Sequence, residues 1–382
     1  MPVYLIHYSS EIGLKGKNRR DFISQLQRNI RRQLGVKQVE HLMGRLLVAD
    51  PRPEVDFSRV FGVAWWASVQ AGPPDMAWIL AEAVAQAQRH PLAGQKPTFA
   101  VRAKRADKTF PSTSEQIQRQ VGAAIVEALG WPVNLREPQV VIHVEVAPGR
   151  AFVFSQRHPG YQGLPVGISG KVVGLYSGGI DSAIAAWLMA RRGAQVTLVH
   201  FHAFVDAQPA HQGKAGRLAA LLGAYIPGLQ VHYVPYYPFQ IATAGLERRD
   251  QRYELVTFRR FMARAAERIA QRVGARAIFT GDSLGQVASQ TLENMTAVDA
   301  AVQIPIFRPL IAWNKQEIID LGERLGFYEV AKEPYKDCCS IISTHPATRA
   351  KLPVVERMEA ALNLESLLEE SLRQAESVRY GS

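Results

Sequence analysis

Cysteine is nearly absent: two residues in a chain of 382, the adjacent pair Cys338 and Cys339. Consecutive Cα atoms stand about 3.8 Å apart, whereas bridged ones stand about 4.4–6.8 Å apart, so a disulfide-built fold is excluded. This usage predicts a reducing compartment, the cytoplasm. Long apolar runs are missing too. None approaches the roughly 18 residues of a membrane span, so no membrane association is expected. The stretch Met1–His7 lacks a basic start and a small-residue cleavage site, which argues against a signal peptide. Two familiar nucleotide signatures are also absent. There is no G-x-G-x-x-G after the glycine-ended strand, and Gly167-Ile168-Ser169-Gly170-Lys171 fails as a Walker A loop. It precedes the strand, and Val172 stands where Ser or Thr is required.

What is present is a strand, a glycine turn and a helix start in that order. The apolar run from Lys171 to Tyr176 leads into Ser177-Gly178-Gly179-Ile180-Asp181-Ser182, and a helical pattern continues through Ala190. Glycines let backbone N–H groups approach an anion without a Cβ in the way. The helix start adds unpaired donors and partial positive charge, and the hydroxyls of Ser177 and Ser182 can donate to the same oxygens. An ordinary Gly-Gly helix entry with a serine cap shares some of these features. The paired serines between strand and helix favour a phosphate cradle, and S-G-G-x-D-S resembles the PP-loop of ATP pyrophosphatases. That resemblance implies binding of the pyrophosphate half of ATP and adenylation chemistry.

With 47% hydrophobic and 21% charged residues the chain reads as globular, and its length predicts two or three domains. The formal charge of +11 is uneven. Residues 1–170 carry 21 Lys+Arg against 13 Asp+Glu (+8), and residues 171–382 carry 24 against 21 (+3). The first half is therefore the expected polyanion-binding part. Val3–His7 reads as a strand, residues 9–20 as a basic loop bearing Lys15 and Lys17, and Asp21–Leu34 as a helix with Phe22, Leu26 and Ile30 buried. Strands near 42–48 and 60–69 follow, with Trp65-Trp66 read as core and interface. This alternation predicts a small ferredoxin-like α+β domain over residues 1–72.

Residues 73–158 show a β-α-β-α-β-β order after an opening helix at Met76–Gln88. The strand Thr98–Arg105 carries Arg102 and Lys104 on one face, and Arg105 and Lys108 flank the loop that follows. The run Val101–Pro111 resembles the THUMP domain of RNA-modifying enzymes, which makes Lys15, Lys17, Arg102, Lys104, Arg105 and Lys108 the candidate RNA contacts. A Gly/Pro-rich connector at 159–170 precedes a third domain, 171–382, with the rhythm of a doubly wound parallel sheet. Ligands of such sheets sit beyond the carboxyl ends of the strands, where Ser177, His200 and Gly281 lie. His200 and His202, two residues apart, could serve a metal, but no third ligand cluster accompanies them. No metal site is assigned, and contact with adenine or ribose is the expectation. The polar segment Thr280–Thr291 could wall a nucleotide pocket or be an ordinary βα loop.

The segments Glu11–Arg20, Lys104–Pro111, Gly163–Lys171, Gly281–Leu292, Phe307–Ile311 and Glu333–Cys339, together with the PP-loop, resemble the tRNA 4-thiouridine synthetases, the ThiI sulfurtransferases. The likeness spans about residues 1–352. It implies ATP-dependent conversion of uridine 8 of tRNA to 4-thiouridine through an O4 adenylate. By motif it also implies a nucleotide site of Leu175, Tyr176, His200, Phe201, Arg259, Gly281 and Gln290, beside Ser177, Gly178, Gly179, Asp181 and Ser182. ATP and Mg²⁺ are the implied cofactors, and Asp181 is read as serving Mg²⁺ or activation geometry. Cys339 aligns with the family's reactive cysteine, with Cys338 beside it; small buried packing residues are the alternative. Relatives that serve thiamine thiazole synthesis append a rhodanese domain with a second reactive cysteine. No cysteine follows Cys339 here, so a separate persulfide donor such as a cysteine desulfurase is the expected partner. A homodimer bridged by tRNA suits a multi-domain RNA enzyme, and the residues do not decide it. Residues 352–378 read as one amphipathic helix.

Overall fold

The computed structural model describes residues 2–52, 55–334, 342 and 346–381. The chain divides into two compact units, Met1–Leu164 and Pro165–Ser382.

The first unit is built on β1 (Val3–Tyr8), β2 (Glu40–Leu42), β3 (Arg45–Ala49), β4 (Val63–Gly72), β5 (Phe99–Arg105), β6 (Val140–Ala147), β7 (Arg150–Phe154) and β8 (His158–Pro159). They form one eight-stranded sheet in the order β2-β3-β1-β4-β7-β6-β5, with β8 added to β4. Strand β4 is common to both halves. Val63–Val69 pairs with β1, and Gln70–Gly72 continues onto β7. The segments expected as separate domains at 1–72 and 73–158 therefore share backbone hydrogen bonds.

Each helix has a local cause. Asp75 accepts from the Trp78 amide at 2.9 Å and starts Met76–Gln88. Thr113 and Gln116 form a reciprocal capping box that starts Ser114–Leu129, and Gly130 in the left-handed region ends it. Ile117, Val121 and Ile125 then pack on Ile79, Ala83 and the inner faces of β5 and β6. The first long helix runs Arg19–Leu34 and buries Ile23, Leu26 and Ile30. Phe22, expected in that stripe, is only partly buried, and the Lys15 ammonium lies 5.0 Å from its ring. The expected basic loop before it is also more ordered than the glycines suggest: Ser9 caps a short helix, Ser10–Gly13, and a 3₁₀ turn follows at Gly16–Asn18.

Faces of the two halves meet through Leu5, Leu47, Ala67, Val69, Phe152 and Phe154. A buried polar group lies beside them. Glu145 on β6 accepts from His7 on β1 at 3.1 Å and from Arg45 on β3 at 3.0 Å. Trp65 stacks on His7 with centroids 4.0 Å apart, and Trp66 is buried, so both tryptophans pack within the fold.

The second unit carries β9 (Lys171–Leu175), β10 (Gln195–His202), β11 (Leu229–Pro235), β12 (Ile278–Phe279), β13 (Ile306–Phe307) and β14 (Glu376–Tyr380), in the order β13-β12-β9-β10-β11-β14. All pairs are parallel except β11 with β14. Helical crossovers between strands make that the natural pairing. Gly174 at the centre admits the Phe279 ring, which a Cβ would meet at 2.1 Å. The C-terminal segment corrects the single-helix expectation. Two helices, Leu352–Ala361 and Leu364–Arg373, are broken at Asn363, whose φ is +48°. Glu376–Tyr380 then alternates as an edge strand. Buried Glu359 accepts from Arg260 at 2.6 and 2.9 Å, pinning the first of these helices to the long helix Glu254–Val273. Among the described residues no helix is long and apolar enough to cross a membrane.

Burial holds His143 and His200 well below the ordinary histidine value, each down to about 4. Both are neutral in the native state, while the unfolded chain takes up their protons below about pH 6.5. Stability that is fully present above pH 6.5 is therefore lost as pH falls toward 4. Each histidine contributes on the order of 2–3 kcal/mol across that window. Replacing His143 by Phe, which keeps the stacking on Phe154, should flatten the acid limb of a melting-temperature profile. An unchanged limb would refute this.

Candidate nucleotide site

The turn after β9 is held by its own hydroxyls. Ser182 Oγ donates to the Gly179 carbonyl at 3.0 Å and accepts from the Ser177 amide at 3.3 Å, and the Gly179 amide donates to Ser177 Oγ at 3.2 Å. Gly178 needs its φ of +79° to make the turn, and a Cβ there would sit 3.0 Å from that of Ala215. Among the described residues no side chain caps the helix Ile180–Arg191, so its first amides are open to a ligand. Ala215 belongs to a second helix, Lys214–Gly223, and its carbonyl accepts from the Tyr176 hydroxyl at 2.8 Å.

A cavity of about 220 Å³ opens at this end of the sheet. It brings together nine of the residues expected from sequence: Leu175, Tyr176, Ser177, Asp181, Ser182, Phe201, Arg259, Gly281 and Gln290. Gly178, Gly179 and His200 are not in its lining. His200 is 1% exposed, and its Nδ1 pairs with the Tyr176 carbonyl at 2.9 Å, so it supports the wall from behind. Gly281 lets the second loop touch the helix start, since a Cβ would lie 2.8 Å from the backbone of Asp181 and Ser182.

Charge in the cavity is paired. Asp181, at the helix start, accepts from Lys315 Nζ at 2.6 Å and from Gln286 Nε2 at 3.1 Å. Arg259 does not extend a bare guanidinium: both Asp282 oxygens accept from its Nη2, at 2.8 and 2.7 Å, and Ser289 Oγ accepts from Nη1 at 3.0 Å. Burial alone would raise the Asp282 carboxyl. Arg259, the Thr280 hydroxyl and Arg308 hold it below the ordinary carboxylate value instead. Asp282, Ser289, Thr280, Gln286 and Lys315 are the residues that sequence reasoning passed over. The first four lie inside the polar segment 280–291, whereas Lys315 is 134 residues from Asp181 and carries no local signal. Cys338 and Cys339 lie outside the described residues. Among the described residues no group of three or more His, Cys, Asp or Glu could hold a metal ion.

In the first unit Arg102, Lys104, Lys108 and Lys17 are exposed. Arg105 is turned inward, donating to the Phe110 carbonyl at 2.8 Å, where it shapes the loop rather than presenting charge. Lys15 is half-buried over Phe22.

A family model described as thiamine biosynthesis protein (ThiI) matches residues 167–364, a THUMP domain model matches 75–156, and a ThiI ferredoxin-like domain model matches 3–66. A relative from Thermus thermophilus named tRNA sulfurtransferase is 42% identical over 386 residues, covering 98% of this chain and 93% of the relative. One of the same name from Brevibacillus brevis is 36% identical over 384 residues, covering 98% and 95%. A crystal structure of a 4-thiouridine synthetase–RNA complex with bound ATP is 33% identical, has a TM-score of 0.89 and covers all of both chains. Ferredoxin-like, THUMP and PP-loop parts, full-length coverage and these identities agree: the chain belongs to the ThiI family of tRNA sulfurtransferases.

Proposed function

We propose that this protein is an ATP-dependent sulfurtransferase that converts uridine 8 of tRNA to 4-thiouridine. The observation that carries the reading is the serine-braced glycine turn at a helix N-terminus, whose flanking Ser177, Asp181 and Ser182 line the cavity. Support comes from the RNA-bound, ATP-bound relative that matches over the whole length.

Uridine O4 is a poor leaving group. Its attack on the α-phosphorus of ATP releases pyrophosphate and leaves O4 as an adenylate. Negative charge grows on the departing pyrophosphate, facing the loop amides and the hydroxyls of Ser177 and Ser182. The Lys315 ammonium beside Asp181 adds a cation at the same place. With one carboxylate of the cavity near the loop, Mg²⁺ would be held mainly by phosphate oxygens and water, with Asp181 as its protein donor. When bound, it supplies charge neutralisation. Sulfur then arrives as a Cys339 persulfide loaded by a separate donor. Its terminal sulfur attacks C4, AMP departs with O4, and a thiol opens the S–S bond. That thiol ends in a disulfide with Cys339. A contribution to thiamine thiazole synthesis is a second use of the same persulfide.

The direct test mixes unmodified tRNA, ATP, a cysteine desulfurase with cysteine as persulfide donor and a reducing thiol with the protein, and reads 4-thiouridine by its near-ultraviolet absorbance; tRNA that stays unmodified would refute the proposal. Asp181→Asn should lower AMP formation about 100-fold or more with tRNA affinity unchanged. Cys339→Ala should abolish thiolation from a persulfide yet leave AMP formation, with Cys338→Ala milder. Replacing Arg102 and Lys104 by Ala should weaken tRNA binding and lower its logarithmic salt slope by about one per residue. A salt dependence identical to wild type would refute the assignment of those two cations.

A further inference from the structure

Asp282 is 4% exposed and touches three residues of the cavity wall at once. Besides its paired contact with Arg259, it accepts from Thr280 Oγ1 at 2.7 Å and from Gln290 Nε2 at 3.2 Å. A carboxylate can only accept, so the Gln290 amide must turn its nitrogen toward Asp282 and its oxygen away. Gln290 lines the cavity, is 8% exposed, and its Oε1 has no hydrogen-bond partner among the described residues. A buried acceptor left in this state calls for a donor from the ligand.

We propose that Asp282 is a positioning residue that sets the orientation of the Gln290 amide and thereby the nucleobase the site takes. A base with an exocyclic amino group, as adenine has at C6, satisfies Oε1. Guanine brings a carbonyl to that position and opposes lone pair to lone pair. Arg259 serves as the second rigid anchor: clamped between Asp282 and Ser289, it keeps the helix Glu254–Val273 and the loop 281–291 in register around the base. This inference rests on the ATP reading above.

A purely structural Asp282, there to neutralise a buried guanidinium, would affect folding and leave base choice alone. The test therefore measures tRNA-dependent release of AMP from ATP and of GMP from GTP, with melting temperature and tRNA affinity as controls. In Asp282→Asn the new amide can donate, which frees Gln290 to turn. The ratio of kcat/KM for ATP over GTP should fall at least about tenfold, since loss of a hydrogen bond that a polar site was built to make is felt as discrimination. The fall should come through KM for ATP, with kcat within about threefold. Gln290→Met, close in size and without an amide, should lose discrimination to a similar extent and covers the case in which Asp282→Asn does not fold. A folded Asp282→Asn or Gln290→Met protein that keeps the wild-type ratio overturns the inference. So does a wild-type protein that uses both nucleotides equally, while the sulfurtransferase reading stands. A wild type that makes no 4-thiouridine with any nucleotide defeats that reading itself, and the inference with it.

Discussion

The second unit depends on a backbone-to-backbone approach that no side chain mediates. Gly281, closing β12, lies against the peptide between Asp181 and Ser182, and the first atom of any side chain there would be 2.8 Å from that peptide. This contact sets the width of the cavity, because one wall is the helix start and the other is the loop 281–291. The central strand makes the same demand one layer deeper, where Gly174 yields its Cβ space to the Phe279 ring. Both glycines lose more conformational entropy on folding than other residues would, a cost offset by the close approach. The phosphate loop is thus placed by what is absent from two positions as much as by what its own serines bind.

Around that contact the polar groups fall into two sets, each gathered on a carboxylate. Lys315 and Gln286 hold Asp181, and Asp282 holds Arg259 and Gln290. Held by these carboxylates, the side chains have limited freedom, so a nucleotide enters a site whose donors already have fixed directions. His200 contributes from outside the cavity: kept neutral by burial, it pins the Tyr176 carbonyl and so the exit of β9.

Much of this was legible in the amino-acid order. Strand, glycine turn and helix start are contiguous, so Ser177, Ser182 and Asp181 could be placed from local pattern alone, and the βα rhythm gave the parallel sheet. The pairings were not legible. Asp282 reads as one more polar residue in a loop until folding sets it against Arg259, 23 positions earlier. Lys315 opens a helix far down the chain. Arg105 falls by alternation on the face opposite Arg102 and Lys104, and there it turns to the Phe110 carbonyl, a partner that periodicity does not name. The C-terminal tail misled for a related reason. Its helical pattern is genuine over two short stretches, but Asn363 in the left-handed region and the open edge of β11 decide where it stops.

The shared strand β4 bears on how the first unit can be used. Since Val63–Val69 belongs to one half and Gln70–Gly72 to the other, and His7, Arg45 and Glu145 join the halves through buried charge, neither half has a finished edge of its own. A cut after residue 72 would strand a buried carboxylate and expose unpaired backbone on β7. The two halves therefore behave as a single inheritance: a segment recognisable as a movable module in sequence is, in this chain, welded to its neighbour.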